Sequence, residues 1–257
     1  MKSSTAEVKS PSHPLISEDR TLSPIILLHG AGCNSSIWMH QIGNFETFPV
    51  DLPGHGKTPD EAVHSIADYA DFVFRIIAER GLYGGIIVGH SMGGAIAQHL
   101  VNHYPGIVRG LVLTSTGARL KVSSKIFELI RTDYDDFINR ISQWAFSRSR
   151  ISFLQQEINL FKDILKETSP DVTERDFRLC DAFDFTRDYE AGSINIPVPT
   201  LIVVGADDVL TPIEYSKYLH TRIPSSEMVI IEDAGHMVML EQSSEFNALL
   251  LRFLTRI

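Results

Sequence analysis

Gly85-Ile86-Ile87-Val88-Gly89-His90-Ser91-Met92-Gly93-Gly94-Ala95-Ile96-Ala97-Gln98-His99-Leu100-Val101 is the stretch that decides the fold. Its opening is a short apolar run rich in β-branched residues and bounded by glycine, which predicts a buried strand over 85–89. Apolar residues then recur at helical spacing, which predicts a helix over 94–101, stopped near Pro105. Ser91 stands between the two, inside a Gly-x-Ser-x-Gly run made with Gly89 and Gly93. A serine on so tight a strand-to-helix turn needs small neighbours to let the backbone pass. The helix start behind it aims N–H groups at negative charge forming beside the hydroxyl. Strand, strained serine and helix together predict an exposed nucleophile.

The same alternation extends in both directions. Pro24-Ile25-Ile26-Leu27-Leu28 is a continuous apolar run feeding the turn at His29-Gly30, and a weaker strand is expected over 48–51. Ile66, Tyr69, Ala70, Val73, Ile76 and Ile77 share one face of a helix expected over 66–80. Further strands are expected over 110–114, 200–205 and 227–231, with a closing helix over 243–254 whose core face carries Phe246, Leu249, Leu250 and Phe253. Strands alternating with helices predict an α/β architecture with a mostly parallel sheet. Over 118–196 the strand rhythm stops and apolar residues recur at helical spacing, as in Ile126, Leu129, Ile130 and again in Phe137, Ile141, Trp144. The expected organisation is a core of 24–117 and 197–257, a helical insert over 118–196, and a flexible N-terminal tail over 1–23.

With 23 Lys and Arg against 32 Asp and Glu, the net charge of −9 argues against a nucleic-acid partner and against an anchor on an anionic membrane. No run of 18 apolar residues occurs, so no membrane span is expected. Residues 1–23 lack the apolar segment of a secretory signal. The two cysteines, Cys33 and Cys180, are in no metal-like or redox spacing, so a cytoplasmic protein without a disulfide framework is expected. No His and carboxylate pair falls at metal-ligand spacing, and neither a metal nor another cofactor is expected.

Gly89-His90-Ser91-Met92-Gly93-Gly94 resembles the nucleophile elbow of the α/β-hydrolase superfamily, in particular its lidded esterase and lipase-like branch. The resemblance runs from Pro24 to the C-terminus and is weakest in the insert. It implies a catalytic triad in the order serine, acid, histidine. Ser91 is then the nucleophile. Val204-Gly205-Ala206-Asp207-Asp208-Val209-Leu210-Thr211-Pro212 is similar to the family's G-x-x-D-x-x-x-P, which selects Asp208 as the acid, with Asp207 its competitor. His236, in Asp233-Ala234-Gly235-His236-Met237, is the implied base. His29-Gly30-Ala31-Gly32 matches the family's oxyanion loop, which names Ala31 beside Met92 as the two donors and leaves Gly32 as the second choice. His55 lies in a loop similar to the family's D-x-x-G-H-G and is given no role, and His90 is expected to face away from the chemistry.

The insert takes the place of the family's lid over the acyl pocket. Trp144 is the expected substrate contact among its aromatics (Phe127, Tyr134, Phe137, Phe146, Phe153 and Phe161 being the others), and Arg119, Arg131, Arg140, Arg148 and Arg150 are possible carboxylate holders. The implied activity is hydrolysis of carboxylic esters of small to medium acyl groups. The same triad also serves carbon–carbon bond hydrolases, a quinone-pathway lyase, cofactor-free perhydrolases, and ligand receptors with little turnover. Epoxide hydrolases and dehalogenases place an aspartate where Ser91 stands and fit less well.

Overall fold

The computed structural model describes residues 24–257, and the tail expected over 1–23 lies outside the described residues. Six strands, β1 (Ile25–Leu28), β2 (Thr47–Val50), β3 (Gly85–His90), β4 (Val108–Thr114), β5 (Thr200–Gly205) and β6 (Ser226–Ile231), form one sheet in the order β2-β1-β3-β4-β5-β6. Every pairing is parallel. The strand expected over 48–51 begins one residue earlier, and β4 extends the run expected over 110–114 back to Val108.

Successive side chains on a strand point to opposite faces, and the core divides accordingly. Ile26, Leu28, Ile87, Leu111, Leu113 and Ile202 pack on one face with α1 (Ile66–Arg80), α2 (Met92–His103) and α8 (Ile213–Arg222). Ile25, Leu27, Ile86, Val88, Val112, Leu201 and Val203 pack on the other, with α10 (Ser243–Leu254) and the short α9 (Val238–Glu241). Helix α1 starts on a capping box, with the Ser65 side chain on the Asp68 amide and Asp68 reaching back, and ends on Gly81 in the left-handed region.

Between β4 and β5 the chain forms five helices: α3 (Ser124–Thr132), α4 (Tyr134–Trp144), α5 (Gln155–Lys166), α6 (Pro170–Ala182) and α7 (Thr186–Ala191). They have no separate core. Ile126, Phe137, Ile141, Phe146 and Phe161 belong to the same buried cluster as Val88 and Val203 of the sheet. Leu179, Phe183 and Tyr189 join the cluster on the opposite face. Among the described residues no helix is long and apolar enough to cross a membrane.

Candidate active site

The loops that leave the C-terminal ends of β1, β3, β5 and β6 converge, the place where parallel α/β sheets bind ligands. Ser91 follows β3 with φ 52° and ψ −114°, a conformation an L-residue adopts only under constraint. Its amide donates to Thr114 O at 3.0 Å, and Thr116 Oγ1 donates to its carbonyl at 2.8 Å. The glycines are steric necessities here. A Cβ on Gly89 would stand 2.4 Å from Gly93 O, and one on Gly93 would stand 2.4 Å from Leu28 O. Helix α2 begins at Met92, two residues before the expected start, so its first amides lie directly behind Ser91. The Ser91 side chain makes no capping bond to them.

Asp208 follows β5 and is almost fully buried. Its Oδ1 accepts the Leu210 and Thr211 amides at 2.9 and 2.8 Å, and its Oδ2 accepts Thr211 Oγ1 at 2.8 Å. His236 Nδ1 lies 2.9 Å from the same Oδ2. A carboxylate only accepts, so the proton sits on Nδ1 and Nε2 is left as the free base. Burial alone would raise the Asp208 carboxyl, but the His236 ring and the surrounding donors outweigh it and hold the group below the ordinary carboxylate range. Asp207 points elsewhere, to Ser147 Oγ.

Ser91 and His236 open onto one cavity of about 400 Å³, within the range of small-molecule sites. Among the described residues no hydrogen bond joins Ser91 Oγ to His236, a looseness common before substrate arrives. Ala31, Ile126, Ile141, Trp144, Phe161, Leu165, Phe177 and Leu210 supply much of the wall, with Lys121 and Arg148 also bordering it. Of the other aromatics, Phe137 and Phe146 are core residues, Phe153 is exposed, Tyr134 bonds within the insert and Phe127 sits beneath the Arg178 guanidinium. Arg131 and Arg140 are paired with Glu174 and Asp136, and Arg119 lies over the Tyr215 ring.

The loop after β1 is held in a way that separates its amides. His29 Nε2 accepts the Leu52 amide at 3.1 Å, so its proton is on Nδ1, which donates to Gly30 O at 2.9 Å. The Cys33 amide donates to the same carbonyl. In a trans peptide the N–H points opposite to the C=O, so fixing Gly30 O turns the Ala31 N–H away from that turn. The Gly32 amide is committed to Asp176 Oδ2 at 2.9 Å. Among the described residues the Ala31 and Met92 amides make no hydrogen bond.

His90 corrects an expectation. It does not face away: its ring packs 4.7 Å from the His236 ring, and its Nε2 donates to His236 O at 3.1 Å. Burial, reinforced by His236, pushes its pKa far down, so it is a neutral support for the His236 loop. Glu241 is a second support, outside the family motifs that select the other site residues. Its two oxygens accept the Gly235 and Ser147 amides at 2.8 and 2.7 Å, while the His236 amide donates to Ala145 O at 2.8 Å. Residues between β4 and β5 therefore hold the histidine loop as well as lining the cavity.

Burial raises the Glu241 carboxyl to about 7, against the pull of the Ser147 and Gly235 amides. A folded-state acid pKa above its unfolded value means the folded chain keeps a proton that the unfolded chain has lost. This group's contribution to stability should therefore fall as pH rises from about 4.5 to about 7 and level off above that, by about 1.4 kcal/mol per unit of pKa difference. Denaturant melts across that window should show the decline, and Glu241→Gln should flatten it.

Residues 25–249 match the model of the family described as "Alpha/beta hydrolase family". The chain belongs to that family. The α/β-hydrolase fold is accordingly the one described above, and the resemblance read at the elbow holds. Among curated relatives, a pimeloyl-[acyl-carrier protein] methyl ester esterase of Neisseria meningitidis is 30% identical over 88% of this chain and 74% of its own length. Among solved structures of the same fold, a thermophilic esterase is 35% identical with a TM-score of 0.84, covering 92% of this chain and 91% of that one. A structure described as Est816, an N-acyl homoserine lactone degrading enzyme, is 25% identical with a TM-score of 0.78, covering 90% and 92%.

Proposed function

We propose that this α/β hydrolase cleaves carboxylic esters of small to medium acyl groups through an acyl-enzyme on Ser91. The chain is a carboxylic ester hydrolase, and the proposal concerns how and on what it acts. The observation that carries the mechanism is the Asp208–His236 contact, with every other lone-pair direction of Asp208 filled by Leu210 and Thr211. That contact leaves Nε2 of His236 as the base facing the cavity that Ser91 shares. In the first half-reaction Nε2 takes the Ser91 proton as Oγ attacks the acyl carbon. The Ala31 and Met92 amides hold the tetrahedral oxyanion, and the imidazolium returns its proton to the departing alcohol. Water, deprotonated by the same nitrogen, then releases the acid. Asp208 stays ionised throughout and stabilises the imidazolium.

The apolar wall built by the insert suits an alkyl chain better than a sugar or a peptide. The relatives named for a pimeloyl ester and for an N-acyl lactone point to the same acyl class. We place the enzyme in the cytoplasm, on the two buried thiols, Cys33 and Cys180, that form no disulfide. Acetate, butyrate and octanoate p-nitrophenyl esters, run beside a diketo acid, test the assignment. Ester turnover with a preference among chain lengths is expected. Binding without turnover would favour a receptor, and diketo-acid cleavage alone would favour carbon–carbon hydrolysis.

Trp144 is half-buried on the cavity wall, and we assign it to the acyl pocket. Trp144→Ala should shift kcat/KM toward the longer chain by 10- to 200-fold at most, the equivalent of about 1–3 kcal/mol of pocket contact. Covalent labelling of Ser91 should proceed at nearly the same rate. A uniform fall for all three esters together with a lower Tm would make Trp144 a packing residue instead.

A further inference from the structure

Asp176 has no part in the mechanism above, yet it is one of the most heavily bonded side chains near the site. It lies on α6, in the insert, and is fully buried. Its Oδ2 accepts the Gly32 amide at 2.9 Å and contacts His55 Nε2 at 2.9 Å, and its Oδ1 accepts Tyr69 OH at 2.6 Å. One carboxylate of the insert thus binds the oxyanion loop after β1, the Gly-His-Gly loop after β2, and helix α1.

His55 is bonded at both ring nitrogens. Nδ1 is 3.1 Å from Pro53 O, and Nε2 faces Asp176. A carbonyl and a carboxylate only accept, so the ring donates twice and is an imidazolium. Burial would strip its proton, and the Asp176 charge more than restores it, leaving the His55 pKa above its ordinary value. Burial would likewise raise the Asp176 carboxyl, and His55 together with the Gly32 and Tyr69 donors brings it below the usual range. Arg175, next along α6, strengthens the joint by donating to Pro53 O at 3.0 Å, Tyr69 OH at 3.2 Å and Asp60 Oδ1 at 2.8 Å.

Gly32 is where this network meets the chemistry. It sits at φ 68°, in the left-handed region, directly after Ala31. The loop carries two amides near the nucleophile, those of Ala31 and Gly32, and Asp176 occupies the second. With Gly30 O held by His29 and Cys33, and the Gly32 N–H held by Asp176, the peptide planes on both sides of Ala31 are fixed. We infer that Asp176 is a positioning residue that reaches from the insert to clamp the Gly32 amide, so that the Ala31 N–H alone is presented to the reacting carbonyl. The inference rests on the oxyanion role proposed above for Ala31. It also makes the insert part of the catalytic apparatus, since α6 cannot leave without releasing the loop.

The test compares Asp176→Ala, Asp176→Asn and Tyr69→Phe with the wild type on one ester, each normalised to folded protein, with Ser91→Ala alongside. Alanine removes the acceptor and frees the loop, so kcat should drop about 10²-fold, the scale of losing one oxyanion donor, with KM within about threefold. Asparagine can place its carbonyl oxygen where Oδ2 stands and keep the acceptor for the Gly32 amide, so kcat should recover well above the alanine level, while the NH₂ facing Tyr69 OH and the lost counter-charge of His55 lower Tm. Tyr69→Phe removes a bond from the same carboxylate without touching Gly32, and should lower Tm while leaving kcat within about threefold. Should Asp176→Ala not fold, Asp176→Leu combined with His55→Phe is read in its place, because a buried ion pair exchanged for apolar groups of similar volume is often tolerated. Unchanged kcat in the acceptor-less variant, no rescue by asparagine, or an equal kcat loss in Tyr69→Phe would overturn the inference. If Ser91→Ala kept its turnover, the proposed function itself would fail. A dead Ser91→Ala beside an unimpaired Asp176→Ala would sink the clamp alone.

Discussion

Ser91→Ala should lose ester turnover by about 10⁶-fold, the scale seen when a triad serine is removed, with only the background from the oxyanion hole and binding left. The size follows from the role, because without Oγ no acyl-enzyme forms and His236 has no proton to take. Stability should change little or improve. Ser91 is held at a positive φ that alanine tolerates about as poorly, and the hydroxyl makes no capping bond whose loss would weaken α2. Steady-state rates with p-nitrophenyl butyrate and a thermal melt of the same samples check both halves. A variant that kept even a hundredth of the wild-type rate, at an unchanged Tm, would mean another nucleophile.

Asp208→Asn should cost on the order of 10³–10⁴ in kcat, and Asp207→Asn should cost far less. Asparagine in place of Asp208 puts an NH₂ where an acceptor is needed. Either that group faces His236 Nδ1, which must then give up its proton and present the wrong tautomer, or it faces the amides of Leu210 and Thr211, which lose their acceptor. The imidazolium formed during attack also loses its counter-charge. Asp207, by contrast, bonds to Ser147 in the insert, between α4 and α5, so its loss should appear in Tm. Single-turnover rates for the two variants separate them, and the reverse order of effects would transfer the acid role to Asp207.

The elbow is legible because its motif is local, although part of what enforces it is not. Gly89, Ser91 and Gly93 are close in sequence, and the clashes that exclude any Cβ involve backbone atoms of the elbow itself and of β1. The central strands are legible as continuous apolar runs, since both faces of the sheet are covered and every residue of such a strand meets one core or the other. Asp176, His55, Tyr69 and Gly32 are far apart in the chain and meet only through tertiary packing. A signal for Asp176 did exist: on α6 the buried positions are Val172, Thr173, Asp176, Leu179 and Cys180, a helical stripe with a carboxylate at its centre. A charge in such a place has to be paired. Glu241 carries the same mark, at the end of Val238-Met239-Leu240. The place of His90 is not legible in the turn after β3 alone, because its partner is the loop after β6.

The family pattern selects Asp208 over Asp207 only by counting, and in the structure it is Asp208 that meets His236 while Asp207 meets Ser147. The carboxylate that faces His236 also collects the two amides and the hydroxyl of its own turn. Nothing in the spacing distinguishes the insert's wall residues from its core residues. Phe161 and Phe146 lie in the same buried cluster with their rings edge to face, yet of the two only Phe161 borders the cavity of Ser91, a difference that tertiary packing alone sets.

The central claim is that Ser91 is the nucleophile, activated by His236 and served by the Ala31 and Met92 amides. A fluorophosphonate probe, followed by peptide mass spectrometry, tests it most directly. The account predicts one phosphonyl adduct per chain, mapped to the peptide that carries Ser91, absent from Ser91→Ala and formed at a rate greatly slowed in His236→Ala. An adduct on a different serine, or labelling of Ser91→Ala at the wild-type rate, would contradict it.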